Sequence, residues 1–181
     1  MIRRCTETDF EAILAVINDA ARAYDGVIPA DRYHEPYMPA EELRGEIEAG
    51  VEFWAWEEDG AVLGIMGVQG VKDVALIRHA YVRSADQGRG IGGRLLEGLR
   101  GQTARPLLVG TWADAVWTIR FYQKHGLELT PAEENAALLR RYTKERKSPQ
   151  IHAVWIISSC AASLPIKEIV DGAPPRRHTR C

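Results

Sequence analysis

A short glycine-rich segment has the residue types and spacing in this sequence that most directly suggest ligand binding. It runs Gln87-Gly88-Arg89-Gly90-Ile91-Gly92-Gly93, between a strand pattern at 74–82 and a helical pattern at 91–100. Glycine allows unusual backbone angles and close approach to a ligand. The unpaired N–H groups at the start of a helix bind phosphate. The segment therefore predicts a phosphate-binding loop.

Two other interpretations of these glycines stay open at this point. One is a strand-to-helix turn that binds nothing. The other is the dinucleotide fingerprint Gly-x-Gly-x-x-Gly, which Gly88, Gly90 and Gly93 satisfy. That fingerprint belongs to a parallel βαβ unit, whereas the preceding strand patterns here form hairpins. The acidic residue at about the right distance, Asp114, falls at a helix start, so a Rossmann-like enzyme ranks lower.

The spacing of apolar residues predicts the elements that position this loop. A short strand at 1–5 precedes a helix that starts at Thr8, which has capping-box spacing with Glu11. A second helix follows Pro39, and alternation with turn residues predicts three strands at 51–57, 61–68 and 74–82. Later patterns predict a helix at 91–100, a strand at 106–111, a helix at 113–125, helical residues within 131–142 and a last strand at 151–157. The order β-α-α-β-β-β-α-β-α-β predicts an α/β fold with a mixed, mostly antiparallel central sheet flanked by helices.

The composition of the chain argues against several classes of protein. The chain has 181 residues, of which 46% are hydrophobic, and a formal net charge of −2. That charge argues against a nucleic-acid partner bound by bulk electrostatics. The three cysteines, Cys5, Cys160 and Cys181, cannot all pair and are far apart, so a reducing cytoplasm is expected. We find no apolar signal core and no apolar stretch of membrane-spanning length, and expect no membrane association.

Two motifs together resemble one known family. Tyr81-Val82-Arg83 followed by Gln87 to Gly92 resembles the acyl-CoA loop of the GCN5-related N-acetyltransferases, the GNAT superfamily. Arg120-Phe121-Tyr122-Gln123-Lys124-His125-Gly126-Leu127 resembles a later segment of the same family. The stretch 34–39 is similar to a subgroup of uncharacterised bacterial members. The resemblance implies a GNAT fold and an N-acetyltransferase that moves an acetyl group from acetyl-CoA directly to a primary amine of a small acceptor.

The resemblance also implies roles for individual residues. Acetyl-CoA, as cosubstrate and without a metal, would be bound by Ala80, Tyr81, Val82, Gln87, Gly88, Arg89, Gly90, Ile91, Gly92 and Gly93. A backbone N–H near Val82 would polarise the thioester carbonyl. Tyr122 would protonate the departing thiolate, although an aromatic packed in a helix is the alternative. Arg89 beside the phosphates could equally be a solvated charge.

The sequence departs from the family pattern at the expected base. Some members carry a glutamate on the strand before the loop, where this chain has Leu76, and His79 is the nearest titratable residue on that strand. Ala115 stands where many members have asparagine, which puts one pantetheine contact in doubt. For the acceptor we expect contacts from Tyr24, Tyr37, His79 and Trp112, because aromatic faces attract an ammonium group. The missing carboxylate leaves open a non-catalytic acyl-CoA sensor of the same fold.

The end of the chain does not match the family. We expect a GNAT acyltransferase domain at 1–158 and a loosely ordered C-terminal extension at 159–181. Members of this fold often dimerise, so a homodimer is a further expectation.

Overall fold

A computed structural model describes residues 1–31, 33–142 and 153–158. The chain divides into two compact units. The first unit comprises Met1–Gln69 and Ile77–Ala104, and the second comprises Gly70–Leu76 with Arg105–Cys181. The boundary expected at residue 158 stays a prediction, and the extension 159–181 lies outside the described residues. In the described ranges, no helix is both long enough and apolar enough to cross a membrane.

The first unit contains most of the elements that surround the glycine segment. In chain order its helices and strands are β1 (Ile2–Arg4), α1 (Phe10–Ala20), α2 (Ala40–Glu48), β2 (Glu52–Glu58), β3 (Ala61–Val71), β4 (Val74–Val82) and α3 (Ile91–Arg100), with the ends of β3 and the start of β4 in the second unit. β1 pairs with β2 and β2 with β3, both antiparallel, with Arg3 opposite Ala55 and Trp54 opposite Met66. The N–H of Arg83 donates to the carbonyl of Leu63 at 2.9 Å, which holds the end of β4 beside β3.

The core of this unit follows the alternation seen in the sequence. Phe53 and Ala55 of β2 are buried. They join Ile13 and Ile17 of α1 in one apolar cluster. Each fully buried Ile or Phe side chain contributes about 1.5–3 kcal/mol. This packing fixes α1 on the strands that lead to the loop.

The prediction that the first helix starts at Thr8, with a capping box to Glu11, is wrong. Residues Glu7–Asp9 form a short 3₁₀ turn, and α1 begins at Phe10. The capping contact joins Thr6 to Asp9, whose carboxylate accepts the Thr6 backbone N–H at 2.8 Å. Arg3 also donates to that carboxylate at 2.7 and 2.8 Å. An ion pair from outside the helix thus fixes Asp9 at its start, which local spacing does not reveal.

The second unit contains the remaining elements. They are β5 (Leu107–Trp112), α4 (Val116–Lys124), β6 (Leu127–Leu129), α5 (Asn135–Tyr142) and β7 (Ala153–Ser158). β7 pairs antiparallel with both β5 and β6, with Gly110 opposite Trp155 and Leu129 opposite Ile156. The start of β4 adjoins this group, because the N–H of Ala75 donates to the carbonyl of Pro106 at 2.9 Å. The sequence did not predict β6, since three residues are too few to show alternation.

Candidate functional site

The glycine segment forms a loop that opens helix α3, as its spacing predicts. Gly88 and Gly90 have φ of +79° and +78°, in the left-handed region that glycine adopts without steric cost. Gly90 is the N-cap of α3 and brings no side chain to cover the first N–H groups of the helix. A Cβ at either glycine would meet nothing within 4 Å. The backbone is therefore open to a ligand at the positive end of the helix.

Hydrogen bonds fix both sides of this loop. The turn Ser84–Asp86 precedes it, and Gln87 Nε2 donates to the carbonyl of Val82 at 3.3 Å. The guanidinium of Arg89 forms ion pairs with Asp86 and, at 2.8 Å, with Glu58. Arg89 is thus held on the loop by two carboxylates.

The end of β4 lies against this loop and is held there by close packing. Ala80, Tyr81 and Val82 are each partly buried. A Cβ at Gly64 of β3 would lie 2.9 Å from Ile91 and 3.2 Å from the carbonyl of Tyr81. Gly64 therefore lets β3, the end of β4 and the start of α3 approach closely, a role that the sequence analysis missed because no loop or turn marks this glycine.

Three of the four residues expected at the acceptor are brought together in the first unit. The rings of Tyr24 and Tyr37 stack with centroids 6.1 Å apart, and Tyr24 meets Tyr81 edge-on at 6.5 Å. His79 lies 6.2 Å from Tyr81 and stacks on Phe53 at 5.5 Å. These five residues, Tyr24, Tyr37, Phe53, His79 and Tyr81, are called the aromatic row below.

A carboxylate that sequence reasoning did not find lies beside the aromatic row. Glu46 of α2 is hydrogen-bonded through Oε2 to His79 Nε2 and pairs with Arg78 at 3.2 Å. Burial alone would raise the pKa of the Glu46 carboxyl, but the hydrogen bond and charge of His79, with the charge of Arg78, outweigh it and lower that pKa. The pair is separated by 33 residues in sequence, and no local signal connects the two.

Tyr122 and Trp112 belong to the second unit. Tyr122 lies on α4, is 1% exposed, and its ring meets that of Phe121 at 5.0 Å. Trp112 ends β5 and is partly buried, and its carbonyl accepts the N–H of Ala115 at 3.0 Å. Ala115 is the N-cap of α4 and is fully buried. This burial is also what a packed core aromatic would show, so the role of Tyr122 as an acid stays a prediction.

Comparison with models of protein families gives one match to this chain. Residues 49–128 match the model of the acetyltransferase (GNAT) domain. No curated protein matches the chain. The matched segment contains β2, β3, β4, the glycine loop, α3 and Tyr122.

Solved structures of GNAT-family acetyltransferases are similar to this chain in fold. An acetyltransferase of the GNAT family from Brucella melitensis, in complex with acetyl-CoA, is 27% identical over 71% of this chain and 82% of its own, with a TM-score of 0.54. The paia N-acetyltransferase from Thermoplasma acidophilum, in complex with coenzyme A, is 16% identical over 87% and 97%, with a TM-score of 0.65. A GNAT-family acetyltransferase from Staphylococcus aureus Mu50 is 15% identical over 87% and 97%, with a TM-score of 0.62.

Residues 49–128 are therefore similar to the acetyltransferase (GNAT) domain, and the fold is similar to that of GNAT-family acetyltransferases, as the sequence motifs indicated. The expected α/β class with mostly antiparallel strands and flanking helices is confirmed. The Rossmann-like alternative is wrong, because the strands before the glycine loop pair antiparallel rather than in a parallel βαβ unit.

Proposed function

We propose that this protein transfers the acetyl group of acetyl-CoA directly to a primary amine of a small acceptor. The observation that carries the proposal is the loop at 87–93, in which two left-handed glycines open a helix inside the matched acetyltransferase segment. Coenzyme A complexes of two proteins of similar fold support acetyl-CoA as the cosubstrate.

The first part of the proposed mechanism is binding of the cosubstrate. The pyrophosphate is bound by the N–H groups from Gln87 to Gly93, where the helix N-terminus favours negative charge. Arg89 contributes a positive charge once it exchanges a carboxylate partner for phosphate. The pantetheine arm pairs with the backbone of Ala80, Tyr81 and Val82.

The second part is the chemistry of transfer. A backbone N–H near Val82 polarises the thioester carbonyl and stabilises the oxyanion as it forms. Tyr122 donates its phenolic proton to the departing thiolate, as a neutral phenol can at ordinary pH. Holding amine and thioester together supplies up to ~7–11 kcal/mol of the barrier reduction.

The acceptor is expected to be a small amine. Tyrosine faces in the aromatic row attract an ammonium group, and Glu46 places a negative charge beside them. Trp112 remains a predicted acceptor contact of the second unit. A cytoplasmic location and a homodimer also stay predictions.

Two measurements test the proposal. Calorimetry should show binding of acetyl-CoA and none of NAD, and binding of NAD alone would refute it. Release of free coenzyme A thiol is then followed with a panel of primary amines, namely 2-phenylethylamine, butylamine and glycinamide.

A non-catalytic acyl-CoA sensor is the second candidate. Leu76, which stands at the expected base position, is 2% exposed and apolar, so it cannot accept a proton. The sensor predicts acetyl-CoA binding without thiol release for any amine, whereas the enzyme predicts release with at least one.

A further inference from the structure

The hydrogen bond between Glu46 and His79 joins a helix to the strand that leads into the glycine loop. His79 is 7% exposed. Its Nδ1 has no hydrogen-bond partner among the residues that the structure describes. A buried polar atom without a partner is rare and costs about 1–3 kcal/mol, so this arrangement needs an explanation.

The chemistry of the pair fixes where the imidazole hydrogen lies. An ionised carboxylate can only accept a hydrogen bond, so Nε2 of His79 carries the hydrogen that Glu46 accepts. In the neutral ring Nδ1 then holds a lone pair. A second hydrogen there would be a buried donor without an acceptor in the described part of the chain. Glu46 thus holds the imidazole in the tautomer that leaves a basic nitrogen free.

Three tyrosines of the aromatic row lie beside the buried imidazole. Tyr81, Tyr24 and Tyr37 follow His79 in order, with centroid separations of 6.2, 6.5 and 6.1 Å. Each of the three tyrosines is partly exposed, whereas His79 is buried. An ammonium group attracted to the ring of Tyr81 would lie near the imidazole, because the centroids of these two rings are 6.2 Å apart.

We propose that His79 is the general base of the reaction, with Glu46 as its positioning residue. The inference rests on the proposed acetyl transfer and supplies the proton acceptor that Leu76 cannot be. The Nδ1 lone pair takes one proton from the acceptor's ammonium group, directly or through one water. The freed nitrogen lone pair forms the C–N bond with the acetyl carbon, and the C–S bond breaks with its electron pair on sulfur. As the amide forms, the nitrogen loses its second proton to solvent. Tyr122 gives its proton to the thiolate and regains one from solvent, and His79 returns its proton to solvent, so that one proton is released overall.

Charged and titratable groups around the pair come from several elements. Glu46 lies on α2, Arg78 and Tyr81 lie on β4 with His79, and β2 contributes the neutral ring of Phe53. Tyr37, in the loop before α2, has its pKa raised by burial and by the charges of Glu42 and Glu46. Glu46 is the carboxylate that bonds to the imidazole, so it is the group to change.

The experiment compares His79→Gln, Glu46→Gln and Glu48→Gln, the last an exposed glutamate on the same helix. Thiol release is measured from pH 5 to 9 with 2-phenylethylamine, butylamine and glycinamide. His79→Gln should lower kcat on the order of 100-fold, with acetyl-CoA affinity unchanged, and should abolish the rise of kcat with pH. Glu46→Gln should lower kcat roughly tenfold, because the imidazole loses the carboxylate that orients it. Glu48→Gln should match the unmodified protein.

Nitrogen-15 chemical shifts of the imidazole give a second readout that needs no acceptor. They should show a hydrogen on Nε2 and a lone pair on Nδ1 in the unmodified protein, and a tautomer mixture in Glu46→Gln. A hydrogen on Nδ1 with a lone pair on Nε2 overturns the proposal, as does a folded His79→Gln variant with unaltered kcat and pH profile. Failure of the unmodified protein to bind acetyl-CoA refutes the proposed function instead.

Discussion

The carboxylate of Asp19 on α1 accepts a hydrogen bond from the backbone N–H of Ser84, with 2.6 Å between Oδ2 and N. The Ser84 hydroxyl donates in turn to the carbonyl of Asp19 at 3.3 Å. The Ser84 N–H is also the main reason that the pKa of Asp19 lies below its ordinary value. These contacts fix the turn that leads into the glycine loop, so helix α1 controls where the loop begins.

Replacing Asp19 should therefore disturb cosubstrate binding from a distance. Asp19→Ala should cost about 1 kcal/mol of stability and weaken acetyl-CoA binding, measured by thermal melting and calorimetry. Asp19→Asn should restore most of both, because its carbonyl oxygen can still accept the Ser84 N–H. Glu11→Ala, an exposed change on the same helix, is the control. Equal acetyl-CoA affinity in Asp19→Ala and Glu11→Ala would contradict the anchoring role.

Gly90 can be tested against a glycine of matched geometry. Gly60, in the β2–β3 turn, has φ of +75°, and a Cβ there also meets nothing within 4 Å. Alanine at either position should therefore cost about 1 kcal/mol of stability through backbone strain. Only Gly90→Ala should weaken acetyl-CoA binding in calorimetry, because its methyl group occupies the space through which phosphate approaches. Loss of affinity to the same extent in both variants would argue against a phosphate-binding loop.

Removing the Tyr122 hydroxyl should distinguish a role of this residue in proton transfer from a role in core packing. Tyr122→Phe keeps the buried ring and should lower kcat on the order of 100-fold, as expected for loss of a general acid, with acetyl-CoA affinity unchanged. Tyr142→Phe is the control, since Tyr142 is a buried tyrosine of the same unit whose hydroxyl donates to Asp73 at 2.9 Å. It should lose stability but not kcat. Activity of Tyr122→Phe equal to that of the unmodified protein at every pH would exclude the acid role.

The ion pair between Arg3 and Asp9 should make stability depend on pH. The hydrogen bonds from Arg3 lower the pKa of Asp9 well below its ordinary value, which in an unfolded chain is about 3.9. The stabilisation is therefore fully present above pH 4 and is lost as the pH falls further and the carboxylate is protonated.

Urea unfolding at pH 7 and pH 3 checks this expectation. Asp9→Asn should lower the free energy of unfolding by about 2 kcal/mol at pH 7, and the difference should shrink at pH 3. Glu7→Gln, an exposed change in the same turn, should have little effect at either pH. A difference that stays constant between the two pH values would show that the charge of Asp9 contributes nothing.

Features that depend on neighbours in sequence were predictable. Runs of adjacent residues encode the alternation that buries Phe53 and Ala55. Such a run also encodes the helix that begins at Ile91. The helical segment with Tyr122 was found in the same way, with its start three residues later than expected, at Val116. These signals work because a period of 2 or 3.6 residues, or a glycine at a turn, acts over a few positions.

Features that depend on distant partners were not predictable. The expected cap at Thr8 was wrong because Arg3 of β1 holds Asp9 at the helix start. The sequence analysis assigned no role to Glu46, because nothing near it in sequence points to His79. It assigned none to Gly64, because the contact that requires a glycine there is with Ile91, which is distant in sequence.

The sequence by itself determined the glycine loop, the order of the elements around it and the resemblance to the GNAT acetyltransferases, because each is encoded in short-range spacing. Only the tertiary structure decided that Glu46 and His79 form a hydrogen-bonded pair beside three tyrosines. Such a pair forms when a helix and a strand 33 residues apart pack together, and the burial that drives this packing is a property of the whole unit rather than of either segment.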